Sequence, residues 1–160
     1  MKRDALSEHR SEVIHHHINL EAMVDNLVNR HYTGGPSMAF HEEVLAHLSF
    51  GFKLGILQRI LGPEGKEAVG KLSRLNAIRN QFAHCGVLRY DSSSKESFAQ
   101  NPRKPGPRVD FDELYLEFVN ALADLQRFLI ERACREKGAE MLIKRGDHWE
   151  SLCEDETTDS

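Results

Sequence analysis

The residues best suited to chemistry stand in one short string near the middle of the chain: Arg79, Asn80 and His84. Asn80 and His84 are four positions apart, so they share one face of a helix, and the long side chain of Arg79 can reach the same patch. An imidazole exchanges protons near neutral pH, and a guanidinium can bind a phosphate and neutralise charge developing on it. These groups suit phosphodiester cleavage without a metal. The alternative interpretation is purely structural: Arg79 and His84 cap the C-terminus of a helix.

A second candidate is the run His15-His16-His17, part of an excess of nine histidines. Consecutive helical residues point about 100° apart, so the three imidazoles cannot share one face as metal ligands. The remaining histidines lack the spacing of a zinc-binding helix, and the cysteines at positions 85, 134 and 153 are widely separated. We therefore predict no metal site and no cofactor. The hypothesis of a metal- or ligand-binding bundle depends on the number of histidines alone and is the least favoured.

Composition limits the class of protein further. The chain has 160 residues, 40% hydrophobic and 29% charged, with a net charge of -4, which fits one soluble domain and argues against a generic polycation. No apolar run has the length of a membrane helix, and the N-terminus lacks the apolar region of a signal peptide. An odd number of scattered cysteines fits a reducing compartment without a disulfide framework. These features predict a cytoplasmic protein with no membrane partner.

The elements that must position the string are helices. Apolar residues recur every seven positions over 5–32, which predicts one long helix that ends before Gly34-Gly35-Pro36. Ser37 is a candidate N-cap for the next helix, which runs to Leu61, with a kink or split near Ser49. Its apolar residues step by four: Phe40, Val44, Leu48, Phe52, Ile56 and Ile60. Gly51 and Gly55 on one face would let a neighbouring helix approach closely.

A third helix is predicted to end at His84, with an inward face formed by Leu72, Leu75, Ile78 and Phe82. Asp110, with Glu113 three positions later, is typical of a helix start, and that helix is expected to reach about Lys137. A last helical piece is predicted over 139–144. The fold class is therefore all-α, an up-and-down bundle of four or five helices.

Charge is unevenly distributed within the predicted domain, residues 1–145. Residues 53–108 carry eleven basic and four acidic residues, and they include a predicted long loop at 87–109. The predicted tail, 146–160, carries six acidic residues and no Lys or Arg. The basic segment predicts binding of a phosphate backbone. The candidate phosphate-binding residues are Lys53, Arg74, Arg89, Arg103, Lys104 and Arg108.

Two longer stretches resemble a known family. Residues 75–84 (LNAIRNQFAH) resemble the Arg-x4-6-His motif of the HEPN superfamily, and residues 49–57 (SFGFKLGIL) are similar to the branch that contains the mannitol operon repressors. The resemblance covers about residues 38–86. It implies a four- or five-helix bundle that forms a twofold homodimer, with both Arg/His sets in one composite cleft.

Many members of this superfamily are metal-independent endoribonucleases that act as toxins or in antiviral and antiphage defence. The resemblance therefore implies that His84 is the acid/base group, that Arg79 holds the scissile phosphate of an RNA, and that Asn80 orients His84 or that phosphate. The product would carry a 2′,3′-cyclic phosphate. An antitoxin or defence-system protein is the implied partner.

The alternative is a catalytically silent HEPN module that regulates or scaffolds through protein or nucleic-acid binding. Gly86 stands where many toxins paired with a nucleotidyltransferase antitoxin carry a tyrosine, and this departure favours the silent module together with the likeness to the repressor branch. The joint presence of Arg79, Asn80 and His84 favours the ribonuclease.

Overall fold

The computed structural model describes the backbone of residues 3–84, 88–91, 96–101, 104–135, 142–145 and 148–151, and the side chains of 6–84 and 110–135. The helices are α1 (Arg3–Thr33), α2 (Met38–Glu43), α3 (Phe50–Leu61), α4 (Lys66–His84) and α5 (Phe111–Arg135). Short 3-10 turns span Leu45–His47 and Gly62–Gly65. Every buried apolar side chain of the described residues belongs to one of these helical segments. The prediction of a helical bundle is therefore confirmed.

The helices alternate in direction along the bundle. α2 returns along the C-terminal half of α1, since Asn29 donates a hydrogen bond to the Ser37 carbonyl at 2.8 Å and His41 Nε2 lies 3.5 Å from Asp25 Oδ2. α3 then runs beside α1, and α4 returns antiparallel to it after the turn at Gly62–Gly65. α1 and α4 each pack against both α3 and α5. This arrangement places the C-terminal end of α4 beside the N-terminal ends of α1 and α5.

The core contains the faces that periodicity indicates for α1 and α4. The heptad positions of α1 are at most 5% exposed, and the inward residues predicted for α4 are at most 1% exposed. In α3 two neighbouring rows are apolar, and the buried row consists of Phe50, Leu54, Leu57 and Leu61. Phe52, from the row that steps by four, is 62% exposed. Which row faces inward is decided by the packing of α3 on α1 and α4.

The split near Ser49 is present. The Ser49 hydroxyl accepts a hydrogen bond from the Phe52 amide at 3.3 Å and caps α3, and Ser37 caps α2 in the same way. The α3–α4 turn depends on two glycines. Gly62 has φ +66°, and a Cβ on Gly65 would overlap the Leu61 side chain. This tight turn aligns α4 against α3 and so determines where the residues of the string lie.

Asp110 caps α5, as its position before an apolar run predicts. Its Oδ1 accepts hydrogen bonds from the amides of Asp112 at 2.9 Å and Glu113 at 3.1 Å. We expect Asp110→Ala to lower the free energy of unfolding by about 1 kcal/mol, because two amides of the first turn lose their acceptor. Urea unfolding followed by circular dichroism measures this. Asn120→Ala, at an exposed position of α5, is the control, and equal losses in the two variants would contradict a capping role.

Two segments differ from the sequence prediction. Where a loop is predicted over 87–109, three antiparallel strands pair in the order β1 (Leu88–Asp91), β2 (Glu96–Asn101) and β3 (Lys104–Val109). Where a helix is predicted over 139–144 and a tail from 146, a hairpin pairs β4 (Leu142–Arg145) with β5 (His148–Ser151). These strands are too short for a clear alternating pattern. The Gly-Asp dipeptide between β4 and β5, typical of two-residue hairpin turns, was the available signal.

Cys134, near the end of α5, is disulfide-bonded. The expectation of no disulfide is therefore wrong at this position, because spacing along the chain does not report which cysteines meet in the fold. The other two cysteines, at 85 and 153, lie outside the described residues.

Within the described part of the chain, no single helix has the length and apolar character needed to cross a membrane. The segments Met38–His47 and Phe50–His84, bent by 119° at their break, reach that length and composition only as a pair.

Candidate functional site

Two of the three residues of the string are in direct contact. Arg79 Nη1 donates a hydrogen bond to Asn80 Oδ1 at 2.8 Å, and both side chains are half-buried. α4 continues without a break to His84, so the imidazole lies one turn beyond the Asn80 amide. His84 is exposed and makes no hydrogen bond or ion pair to another described residue. The end of α4 thus presents an accessible imidazole one turn beyond an amide that is bonded to the Arg79 guanidinium.

Arg10 joins this end of α4 from the first helix. Its Nη2 donates to the carbonyl oxygen of Ala83 at 3.1 Å, one residue before His84. That carbonyl belongs to the last turn of α4, where carbonyls lack helical donors and the helix dipole favours cations. The side chain is exposed and keeps further N–H groups for a ligand. No sequence signal identifies Arg10, because the contact spans 73 residues and depends on how α1 and α4 pack.

An aromatic pair lies near the same end of the bundle. The rings of His9 and Tyr115 stack with centroids 3.7 Å apart, and the Tyr115 hydroxyl donates a hydrogen bond to Glu12. This hydrogen bond, followed by partial burial, raises the pKa of Tyr115 above its usual value. The pair joins the second turns of α1 and α5. No pattern in the sequence predicts this pair, because its two residues lie on different helices.

His17, on α1, is fully buried and lies near Arg79 of the candidate site. Its ring meets Phe50 edge-on at 4.6 Å, and neither ring nitrogen has a hydrogen-bond partner among the described residues. Burial, and after it the nearby Arg79 charge, lowers the pKa of His17 from 6.5 to about 4, although Glu21 and Asn76 offset part of the shift. His17 is therefore neutral at physiological pH and does not add charge behind Arg79.

This shift predicts an acid-dependent loss of stability. Between pH 6.5 and about 4 the unfolded chain binds a proton at His17 and the folded chain does not. The contribution is complete above pH 6.5 and falls by about 3 kcal/mol as the pH approaches 4. We expect His17→Leu to flatten the dependence of unfolding free energy on pH in this window. His47→Leu, which removes an exposed imidazole, should follow the wild type, and a His17→Leu curve parallel to the wild type would contradict the assignment.

Lys53 is not part of this surface, contrary to the sequence prediction of a phosphate-binding role. Its side chain is 4% exposed, and Nζ lies 2.8 Å from both Glu21 Oε1 and Asp25 Oδ2. Burial alone would lower the pKa of Lys53, but the hydrogen bonds and charges of Asp25 and Glu21 more than offset this and raise it. Lys53 is a buried charged residue with two carboxylate acceptors already in place, so we leave it out of the phosphate-binding set.

The other predicted phosphate-binding residues have different positions. Arg74 donates to both carboxylate oxygens of Glu117 at 2.6 Å, so its guanidinium is already bound to an acid on α5. Arg89 falls in β1, and Lys104 and Arg108 fall in β3; only their backbone is described. Arg103 lies outside the described residues. The sheet β1–β3 begins at Leu88, shortly after His84 ends α4.

Among the described residues, no three His, Cys, Asp or Glu side chains are grouped so that they could hold a metal ion. Comparisons of the chain with family models, with curated proteins and with solved structures give no match. The site is therefore interpreted from its own residues.

Proposed function

We propose that the protein is a metal-independent endoribonuclease of HEPN type, acting in a toxin, antiphage-defence or stress-response role. The observation that supports this best is the pairing of Arg79 with Asn80 one turn before an exposed His84. A helix end that needed only capping would not require this set, since Arg10 already binds an end carbonyl. An antitoxin or defence-system protein is the proposed partner.

The proposed reaction uses the 2′-hydroxyl of the RNA as nucleophile. As it attacks the neighbouring phosphorus, a base takes the 2′ proton, the bond from phosphorus to the 5′ oxygen breaks, and an acid protonates that leaving oxygen. The 2′,3′-cyclic phosphate results. His84 exchanges these protons, Arg79 neutralises charge on the phosphoryl oxygens, and Asn80 holds Arg79. Arg10, rather than Lys53, supplies the additional phosphate contact.

In the proposed homodimer, α3 offers a surface for a second copy of the chain. A Cβ built on Gly51 or Gly55 would have no described atom within 4 Å, so no described helix of the same chain fills the space that these glycines leave open. Phe52 between them is 62% exposed. α3 begins at Phe50, whose ring contacts His17 behind Arg79, so a second copy on this face would bring the two sites toward each other.

The test is an RNA cleavage assay with purified protein. A structured RNA and a single-stranded RNA are incubated with excess chelator, and the ends of the products are identified. The proposal expects chelator-resistant cleavage that leaves 2′,3′-cyclic phosphate ends and requires the 2′-hydroxyl, so that a DNA strand of the same sequence stays intact. Products with 2′-deoxy substrates would contradict the mechanism.

The second candidate is a catalytically silent HEPN module that acts through protein or nucleic-acid binding. It is favoured by the pairing of two predicted phosphate-binding residues with carboxylates, Lys53 within the core and Arg74 with Glu117. A protein that binds RNA, or a partner, without cleaving it would support this function instead.

A further inference from the structure

An exposed apolar row lies on the side of α5 that faces away from the core. Leu116 is 59% exposed and Val119 is 39% exposed, and Ala123 is exposed as well. Residues three, four and seven positions apart lie on one face of a helix, so these three side chains form a single row. The row is about 10 Å long along the helix axis.

The part of α5 that carries this row is acidic. Residues 111–124 contain four acidic residues and no Lys or Arg. Glu12 of α1 adds a further carboxylate, because it accepts a hydrogen bond from the hydroxyl of Tyr115, the neighbour of Leu116. Three of the four acidic side chains on α5 are exposed: Asp112, Glu113 and Asp124.

The basic residues of α4 that lie near this stretch are already paired. Arg74 donates to both carboxylate oxygens of Glu117 and neutralises that acid. Lys71 binds Glu67 at 2.7 Å and also lies within electrostatic reach of Asp124, but the pair of Lys71 and Glu67 carries no net charge. Thus α4 balances only one of the carboxylates.

Two further basic groups lie at the ends of the row. His9 Nδ1 is 3.7 Å from Asp112 Oδ1, but this imidazole is charged only when protonated. Arg127 is exposed one turn beyond Ala123, and the exposed Glu131, four positions later, offsets its charge. Among the described residues, the apolar row is therefore surrounded by an excess of negative charge.

This charge indicates which kind of partner fits the face. Carboxylates repel phosphates, which argues against an RNA strand or an anionic membrane, and Arg10 of α1 is directed elsewhere, to Ala83 of α4. A fitting segment brings apolar side chains to Leu116 and Val119 and basic side chains to the carboxylates. A helix meets both needs, because its own rows of side chains pack against a row of the same spacing.

We propose that this face of α5 binds an amphipathic helix of a partner protein, in which Lys or Arg residues flank an apolar stripe. The stripe packs on Leu116, Val119 and Ala123, and the basic side chains pair with Glu113 and Asp124. Binding here does not depend on the proposed ribonuclease activity and can be measured without RNA.

Isothermal titration of the full chain with a model peptide tests the proposal. The probe is a helical peptide of about 14 residues with leucine at every third or fourth position and lysine on both sides of that stripe. We expect saturable binding to one site with a dissociation constant of about 10 μM or tighter at about 0.15 M salt, weakening as salt is added. Peptides with glutamate in place of lysine, or serine in place of leucine, should each bind at least about tenfold more weakly. Equal binding of either control peptide, or no saturation by the lysine peptide at about 0.5 mM, would overturn the proposal.

A double variant connects the binding to the apolar row. Leu116→Ser combined with Val119→Ser should keep the circular dichroism spectrum, because both side chains are exposed, and should weaken binding of the lysine peptide at least about tenfold. Ile18→Ser changes a side chain on α1 that is 57% exposed and should bind as the wild type does. Unchanged binding in the double variant, or a change in its molecular mass by sedimentation that shows the face to join copies of this chain, would contradict the proposal.

A second pair of variants tests the carboxylates. Glu113→Gln combined with Asp124→Asn should weaken binding of the lysine peptide several-fold and reduce its dependence on salt. Glu42→Gln combined with Glu43→Gln removes the same charge from exposed positions on α2 and is the matched control. Equal losses in the two double variants would show attraction to the overall charge of the protein and not to this face of α5.

Discussion

Replacing His84 with Ala is expected to reduce the rate of RNA cleavage by about 10² to 10⁴-fold, because the proposed reaction loses the group that moves its protons. Arg79→Ala is expected to have an effect of similar size, since the guanidinium neutralises charge that grows on the phosphate in the transition state. Initial rates on a labelled RNA, measured with chelator present, test both. Asn80→Ala should cost less, because its amide acts through Arg79.

The controls separate chemistry from folding. His84 is exposed, so His84→Ala should keep the circular dichroism spectrum and the unfolding midpoint of the wild type. His47→Ala removes another exposed imidazole and should retain full activity. If both His84→Ala and Arg79→Ala cleave at the wild-type rate, the proposed site is wrong. If the wild type itself does not cleave RNA, the silent module becomes the better account.

The largest effect on stability is expected at Lys53. Lys53→Met should lower the free energy of unfolding by about 3 to 5 kcal/mol, because it leaves Glu21 and the buried Asp25 without their shared cation. Much of this loss is the cost of an unpaired buried carboxylate rather than the value of the ion pairs. Urea unfolding at neutral pH measures it.

Two further variants test this explanation. Lys71→Met breaks the exposed pair with Glu67 in α4 and should leave the unfolding midpoint almost unchanged, because solvent screens that pair. Adding Asp25→Asn to Lys53→Met should recover part of the lost stability, since the buried charge disappears. A Lys53→Met protein as stable as Lys71→Met, or a double variant less stable than Lys53→Met alone, would show that the Asp25 charge is not held by Lys53.

Much of the helical framework could be predicted from the sequence, because it depends on neighbours within a few residues. The Ser37, Ser49 and Asp110 caps are hydrogen bonds to amides two or three positions later, and the seven-residue period of α1 follows from helix geometry. The strands could not be predicted equally well. Their stability comes from pairing with other strands, and four to six residues carry little alternating signal.

The charged residues show most clearly that contacts between distant parts of the chain cannot be predicted from the sequence. The sequence identifies a basic segment, but the fold pairs Lys53, Lys71 and Arg74 of that segment with carboxylates. Two of these pairs, Lys53 with Asp25 and Arg74 with Glu117, join different helices. Counting charges along the chain therefore overestimates the cations that a phosphate could reach.

By itself the sequence determined that Asn80 and His84 share one helical face with Arg79 beside them, because helix geometry fixes the relation between residues four positions apart. Only the tertiary structure decided that Arg10 reaches the carbonyl next to His84, that His17 lies buried behind Arg79, and that Lys53 belongs to the core. Each of these depends on which faces of separate helices pack together. That choice is made by the burial of whole apolar faces and not by any local pattern.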